Sequence, residues 1–302
     1  MLKAGHVPVF LFRNFQLNKV PMAKLNIFTT VYECLMTQEL DAKVQKLQAL
    51  QELWSEDAFE FTPTAEIHRV PDAGRPELPI LVSPKDLPKR RLGSKEGQVA
   101  LMHSIAHIEF NAVNLALDAI YRFQTMPRAY YQDWLGVAGE ESYHFQMVRE
   151  HLYHLGAEYG DLTAHNGLWL TTYETDHDPL VRMALVPRTL EARGLDVTPP
   201  MLQKLRAIGD KRGVEILKIL LRDEIGHVEV GTRWFRYLCA ERGLNPFNTF
   251  KEILENYYHG DLRGPFNIEA RIAAGFCEDE IAWLTSIESQ SAKAVAANKA
   301  NA

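Results

Sequence analysis

Hydrophobic positions along this chain recur mostly at three- and four-residue intervals, the period of an α-helix, and long two-residue alternation is missing. Leu35, Leu40, Val44, Leu47, Leu50 and Trp54 approximate one apolar stripe, which predicts a helix over 31–54 with Asp, Lys, Gln and Glu on its other face. Residues 1–30 show no clean period and read as an extended or partly ordered lead-in. Between 62 and 91, Pro63, Pro71, Pro76, Pro79, Pro84 and Pro88 break any helix. That segment reads as a connector wrapped over the surface, ending in the solvated basic run Lys89-Arg90-Arg91. Ser94 suits an N-cap and opens a helix to 124, broken at Thr125-Met126-Pro127. A second helix spans 128–155 and stops at Gly156; residues 156–177 carry turn signals and aromatics without a long period. The third starts at Asp178-Pro179, reaches Glu191 and is interrupted at Gly194 and Pro199-Pro200. Helical period resumes over 201–208, breaks at Gly209-Asp210 and continues over 211–242 to a stop at Gly243. Shorter helices follow, separated by the Gly- and Pro-containing stretch 260–265, and the Ala-, Lys- and Asn-rich tail after Ser291 is expected to fray.

The expected fold is therefore all-α with four long helices at its centre. An N-terminal helix and proline-rich wrapping segment (1–93) precede the four-helix unit (94–243), and a helical extension (244–302) follows. With 302 residues, 46% hydrophobic and 24% charged, the chain can build a substantial core without staples. Cys34, Cys239 and Cys277 are far apart and form no CxxC pair, so reduced thiols are expected rather than a disulfide framework or a thiolate zinc site. A net charge of −6 and a pI near 6.0 disfavour nucleic acid held by phosphate contacts. No run approaches the ~20 apolar residues of a spanning helix, so no membrane partner is expected. The apolar stretch 7–12 is short and lacks a small-residue cleavage pattern after it; a cytoplasmic location is the expectation.

Two Glu-x-x-His motifs change the picture: Glu141-Ser142-Tyr143-His144 and Glu224-Ile225-Gly226-His227. At i and i+3 the carboxylate and imidazole lie on one helix face, a turn apart, and can bind one metal or two neighbouring ones. Di-iron and di-manganese carboxylate bundles combine two such motifs with one lone Glu on each of two other helices. Glu109 lies 32 residues before Glu141, and Glu191 lies 33 before Glu224. In an antiparallel hairpin, facing residues are equidistant from the turn. The first midpoint is residue 125 and the second falls between 207 and 208, each at a helix breaker. Arms of ~16 residues stand ~24 Å tall, so all six residues are expected at one level. Four converging carboxylates repel one another unless cations neutralise them, and oxygen-rich ligation with one imidazole per metal suits iron or manganese better than zinc. Which glutamates bridge stays open.

On these residues, with Glu109 in Ala106-His107-Ile108-Glu109 and Glu191 in Leu190-Glu191-Ala192-Arg193-Gly194-Leu195-Asp196, the chain resembles the non-haem di-iron carboxylate proteins of the ferritin-like superfamily. It is most similar to a bacterial ferritin-like family of unestablished activity, and more distantly resembles the di-iron hydroxylase acting on a modified adenosine in transfer RNA. The resemblance covers 94–243. It implies a ferritin-like four-helix bundle with one long crossover, and two iron ions (or manganese) held by Glu109, Glu141, His144, Glu191, Glu224 and His227. It further implies an oxidoreductase, a monooxygenase in kind, that uses dioxygen on a small-molecule or modified-nucleoside substrate. With no flavin motif or iron–sulfur cysteine set, electrons come from an external reductase. The alternatives are iron oxidation, storage or peroxide scavenging, and a metal-free helical interaction protein. A monomer or homodimer speaks against a storage cage.

Other residues have simpler readings. His107 sits about 200° around the helix from Glu109, so His103 and His107 read as structural histidines. His151 shares a face with His144, which leaves core, interface and pocket roles open. Glu140 and Asp223 precede ligand glutamates and point elsewhere, with hydrogen bonding to a ligand histidine as the second option. Tyr130, Trp134 and Trp234 read as core aromatics. Arg188 and Arg193, flanking Glu191, are assigned no role.

Overall fold

The computed structural model describes residues 24–88, 92–260 and 262–300, the last eleven as backbone only. The lead-in over 1–23, with its apolar stretch 7–12, and the run Lys89-Arg90-Arg91 lie outside the described residues. The fold is all-α apart from one two-residue parallel pairing of β1 (Leu25–Asn26) with β2 (Phe59–Glu60) and a bridge between Leu81 and Ala164.

The helix expected over 31–54 is two helices, and the first starts inside the expected lead-in. Asn26 accepts hydrogen bonds from the Phe28 and Thr29 amides and so opens α1 (Ile27–Leu35). The chain turns after Leu35, and Glu39 caps α2 (Leu40–Ser55) by accepting from the Asp41 and Ala42 amides. The connector is more than a surface wrap: Val70 and Ala73 are buried in the core. Gly74 packs so closely on the end of α1 that a Cβ would lie 2.3 Å from the Met36 carbonyl carbon.

Ser94 caps α3 (Lys95–Arg122) through the Gly97 amide, and α4 (Arg128–His154) follows the expected break. The crossover contains a short helix, α5 (Gly167–Glu174), too brief to leave a readable period. Asp178 caps α6 (Pro179–Leu185), after which a π-helical turn occupies Val186–Glu191.

The expected interruption at Gly194 and Pro199-Pro200 does not occur: α7 (Ala192–Ala207) runs through all three. Proline removes an amide donor and frees the carbonyl four residues back. For Pro199 that carbonyl belongs to Leu195, and the Asn267 side-chain amide donates to it at 3.1 Å. The irregular stretch lies earlier, in the π turn, where the Thr189 hydroxyl donates to the Ala184 carbonyl at 2.8 Å. Asp210 caps α8 (Lys211–Glu241). Three further helices complete the chain: α9 (Pro246–Tyr257), α10 (Ile268–Ala273) and α11 (Glu278–Ala300). The tail expected to fray stays helical to Ala300, consistent with the high helix propensity of its Ala and Lys residues.

The α3–α4 and α7–α8 hairpins meet where α4 packs on α8; α1 lies on α3, α9 on α6, and α10 against both α7 and α8. The apolar core is split in two. On α4, buried members of one cluster end at Ala138 and those of the other begin at Phe145; on α8 the corresponding limits are Leu220 and Val228. The layer between holds both Glu-x-x-His motifs. Among the described residues no helix is long and apolar enough to cross a membrane.

Candidate metal centre

The polar layer gathers the side chains singled out by spacing. Glu109 comes from α3, Glu141 and His144 from α4, Glu224 and His227 from α8, and Glu191 from the last residue of the π turn. Two groups have ligand atoms close enough to share a cation: Glu109 with Glu141 and His144, and Glu141 with Glu224 and His227. Glu141 belongs to both. Its Oε2 lies 3.4 Å from His144 Nδ1, and its Oε1 lies 2.9 Å from His227 Nδ1. Glu109 Oε2 is 3.3 Å from His144 Nδ1, Glu224 Oε2 is 3.2 Å from His227 Nδ1, and the imidazole centroids are 5.8 Å apart. Glu191 is outside both groups but buried beside the second, where Glu224, Glu141 and His227 act on its charge.

His144 Nδ1 hydrogen-bonds to Glu141 Oε2, but around His227 Nδ1 proximity is not hydrogen bonding. His227 Nδ1, Glu141 Oε1 and Glu224 Oε2 are buried and converge, yet none is aligned for a hydrogen bond; Glu191 Oε2 has no partner either. Unpaired buried polar atoms cost about 1–3 kcal/mol each. Protons or cations could each satisfy such a layer.

The outer ring nitrogens are bound in a crossed pattern. His144 on α4 sets Nε2 3.1 Å from Asp223 Oδ2 on α8, and His227 on α8 sets Nε2 2.8 Å from Glu140 Oε2 on α4. Each histidine thus donates Nε2–H to the residue preceding the glutamate of the other motif. A ligating histidine typically has such a partner, which fixes the tautomer and frees the opposite nitrogen for metal. The second option for Glu140 and Asp223 is the one observed.

Without cations, this geometry forces protons into the layer. Burial opposes a charged His144, but the Glu109 and Glu141 carboxylates outweigh it and raise the imidazole to about 11. His227 is likewise held well above its usual value against burial, chiefly by Glu141. Burial also acts against ionised Glu141, yet the two histidines keep its carboxyl below the ordinary range. Burial and then the Glu141 charge push Glu109 well above that range; burial and then Glu224 do the same to Glu191. Burial raises Glu224 too, with His227 partly opposing it.

The remaining candidates stand apart. His103 Nε2 accepts from the Gly160 and Leu162 amides, and His107 contacts the Tyr159 hydroxyl through Nδ1 at 2.8 Å. His151 bonds to Asp210, the cap of α8. Tyr130 packs edge-on against Trp134 and Trp234 in the core. Arg188 turns away from the layer to a buried ion pair with Glu280, while Arg193 donates to the Arg263 carbonyl. No residue pattern marked the Arg188–Glu280 pair in advance, since its partners are 92 residues apart.

Comparison with known proteins covers most of this chain and is silent on chemistry. An uncharacterized protein of Haemophilus influenzae is 44% identical over 275 residues, covering 89% of this chain and 90% of the relative. No solved structure matches. Residues 36–282, including the whole polar layer, match the family described as a protein of unknown function, and the chain belongs to that DUF455 family.

Proposed function

We propose that this chain is a ferritin-like, non-haem two-metal carboxylate oxidoreductase, holding iron or manganese and oxidising or hydroxylating an organic substrate with dioxygen. The observation that carries it is the convergence of unpaired Glu141, Glu224 and His227 donor atoms in a layer whose two histidines are already bound at Nε2 by outer carboxylates. When bound, a pair of such ions supplies Lewis acidity and reducing equivalents for dioxygen chemistry.

The rest belongs to the protein. Glu109 and His144 would hold one ion, Glu224, His227 and the adjacent Glu191 would hold the other, and Glu141 belongs to both groups. Asp223 and Glu140 keep the Nε2 protons in place, so each imidazole offers Nδ1 to a cation in place of a proton. The apolar clusters flank the layer on either side, and Glu109, Glu141, His144 and His227 are buried between them. The three thiols are unpaired and form no cluster-binding set, so electrons enter from a separate reductase. The substrate is a small molecule or modified nucleoside, and the setting is cytoplasmic.

Elemental analysis of protein purified without chelators is expected to find two iron or manganese ions per chain. Anaerobic ferrous loading followed by oxygen is expected to produce near-ultraviolet charge-transfer absorption. Glu141→Ala should abolish paired binding while far-UV circular dichroism stays helical; two ions bound normally by that variant would overturn the assignment. A very large assembly on size-exclusion chromatography would favour iron storage instead.

A further inference from the structure

Five of the six layer residues sit on regular helices. Glu109, Glu141 with His144, and Glu224 with His227 lie within helices of 28, 27 and 31 residues, whose own hydrogen bonds fix their register. Glu191 differs: it ends the six-residue π turn. A π turn is uncommon because its wider ring packs poorly along its axis, and it persists where surrounding structure holds it.

Besides its packing on α5 and α8, its flanks are gripped by side chains from the C-terminal part of the chain. Three residues before Glu191, the Arg188 guanidinium is fully buried and donates to Glu280 on α11 at 2.6 Å. It is boxed by the Phe235, Phe250 and Phe276 rings, with centroids at 4.6, 4.3 and 4.8 Å. Phe250 is on α9, and Phe276 lies in the loop between α10 and α11. Five residues after Glu191, Asp196 accepts two hydrogen bonds from Arg271 on α10, at 3.0 and 2.7 Å, and one from the Asn267 amide at 2.9 Å. Arg271 also reaches the Ala192 carbonyl. Both anchors are buried ion pairs, where losing one partner leaves an uncompensated charge and the geometry is correspondingly well enforced.

We propose that α10, α11 and the loop between them form a clamp that positions Glu191 in the layer, gripping the chain at Arg188 on one side and Asp196 on the other. The proposal rests on the two-metal assignment above and extends it: the C-terminal segment completes one half of the centre. Arg188, Glu280, Asp196 and Arg271 are positioning residues. Their loss acts on the Glu224–His227 half and spares the Glu109–His144 half.

The test uses full-length protein and Mn(II). Charge-neutral pairs limit misfolding: Arg188→Gln with Glu280→Gln for one anchor, Arg271→Gln with Asp196→Asn for the other. The control is Arg182→Gln with Arg122→Gln and Asp118→Asn, an equally buried ion cluster (2.7 and 3.0 Å) in which Arg182 and Asp118 each lie nine residues from a layer glutamate, Glu191 and Glu109. Wild type and control are expected to bind two Mn(II) per chain with the EPR signature of a coupled pair. Each clamp variant is expected to keep one ion, bind the second at least tenfold more weakly and show an isolated-ion spectrum. General destabilisation would lower the melting temperature of clamp and control variants alike without that split. If one clamp pair fails to fold, the other decides. Two tightly bound ions in a folded clamp variant would overturn the clamp alone; a wild-type chain that binds no pair would overturn the centre and the clamp together.

Discussion

Each layer histidine meets carboxylate oxygen at both ring nitrogens, and this has a consequence for pH. Bare His144 can serve both neighbours only as an imidazolium, which is why Glu109 and Glu141 hold it at about 11 against burial. In the unfolded chain the same group titrates near ~6.5. Its folded value is raised, so its contribution to stability is complete below pH ~6.5 and is lost progressively as pH rises toward 11. In the proposed centre a metal at Nδ1 would replace that proton and gain as protons become scarce. The difference in melting temperature between Mn(II)-loaded and chelator-treated protein is therefore expected to widen from pH 6.5 to pH 9. Differential scanning fluorimetry at matched ionic strength measures it; a constant or shrinking difference would contradict ligation through His144. Groups outside the layer, such as Lys43, which burial pushes down to about 7, act equally on both forms and cancel. The i, i+3 spacing could place Glu141 with His144 and Glu224 with His227, because it depends on one helix alone. The crossed bonds from Glu140 to His227 and from Asp223 to His144 depend on how α4 lies against α8, which spacing does not encode.

Among the elements, legibility followed the same division between local and tertiary causes. Ser94 and Asp178 cap helices where the pattern placed caps, because an Ncap hydrogen bond spans two or three residues. Pro199-Pro200 reads as a break because the sequence pattern carries only local information; Asn267, far along the chain, takes up the freed Leu195 carbonyl. The π turn at Val186–Glu191 was invisible for the same reason, as it is made by what packs on it. Gly231 on α8 shows this closely: a Cβ there would clash with Pro187 Cβ, so at this point α8 approaches the π turn through a bare backbone. Gly231→Ala is expected to destabilise by about 1–3 kcal/mol, the usual cost of overpacking. In α4, Gly136 faces open space, and Gly136→Ala is expected to stabilise by roughly 0.5–1 kcal/mol through helix propensity alone. Urea melts of both variants, read as midpoint shifts at unchanged slope, distinguish a tertiary contact from a backbone preference. Shifts in the same direction would mean that the π turn yields to an added methyl without cost.

At the scale of the whole molecule, the all-α class and the two hairpins followed from period and breakers, since those are properties of amphipathic helices. The division of the core did not. The buried stretch of α4 changes cluster between Ala138 and Phe145, and that of α8 between Leu220 and Val228, so one polar layer crosses the bundle between two apolar bodies. Partly buried Leu221 on α8 packs against both bodies, and the charged groups of the layer lie between the rest. Aromatic and aliphatic packing holds each body on its own, while the layer depends on its protons or on bound cations. A ligand that binds only the folded state stabilises it by RT ln(1 + [L]/Kd), about 2.7 kcal/mol at a hundredfold excess over Kd. In the proposed centre that stabilisation would enter locally. Chelation is therefore expected to speed amide hydrogen exchange most in the segments bearing the layer, 139–147 on α4 and 221–229 on α8. Exchange around Trp134 and Phe235, inside one apolar body, should change least. Exchange–mass spectrometry of Mn(II)-loaded and chelator-treated protein resolves these segments. Uniform acceleration along both helices would mean that metal supports the bundle as one cooperative unit; acceleration confined to the layer would show the two bodies standing independently and the centre joining them.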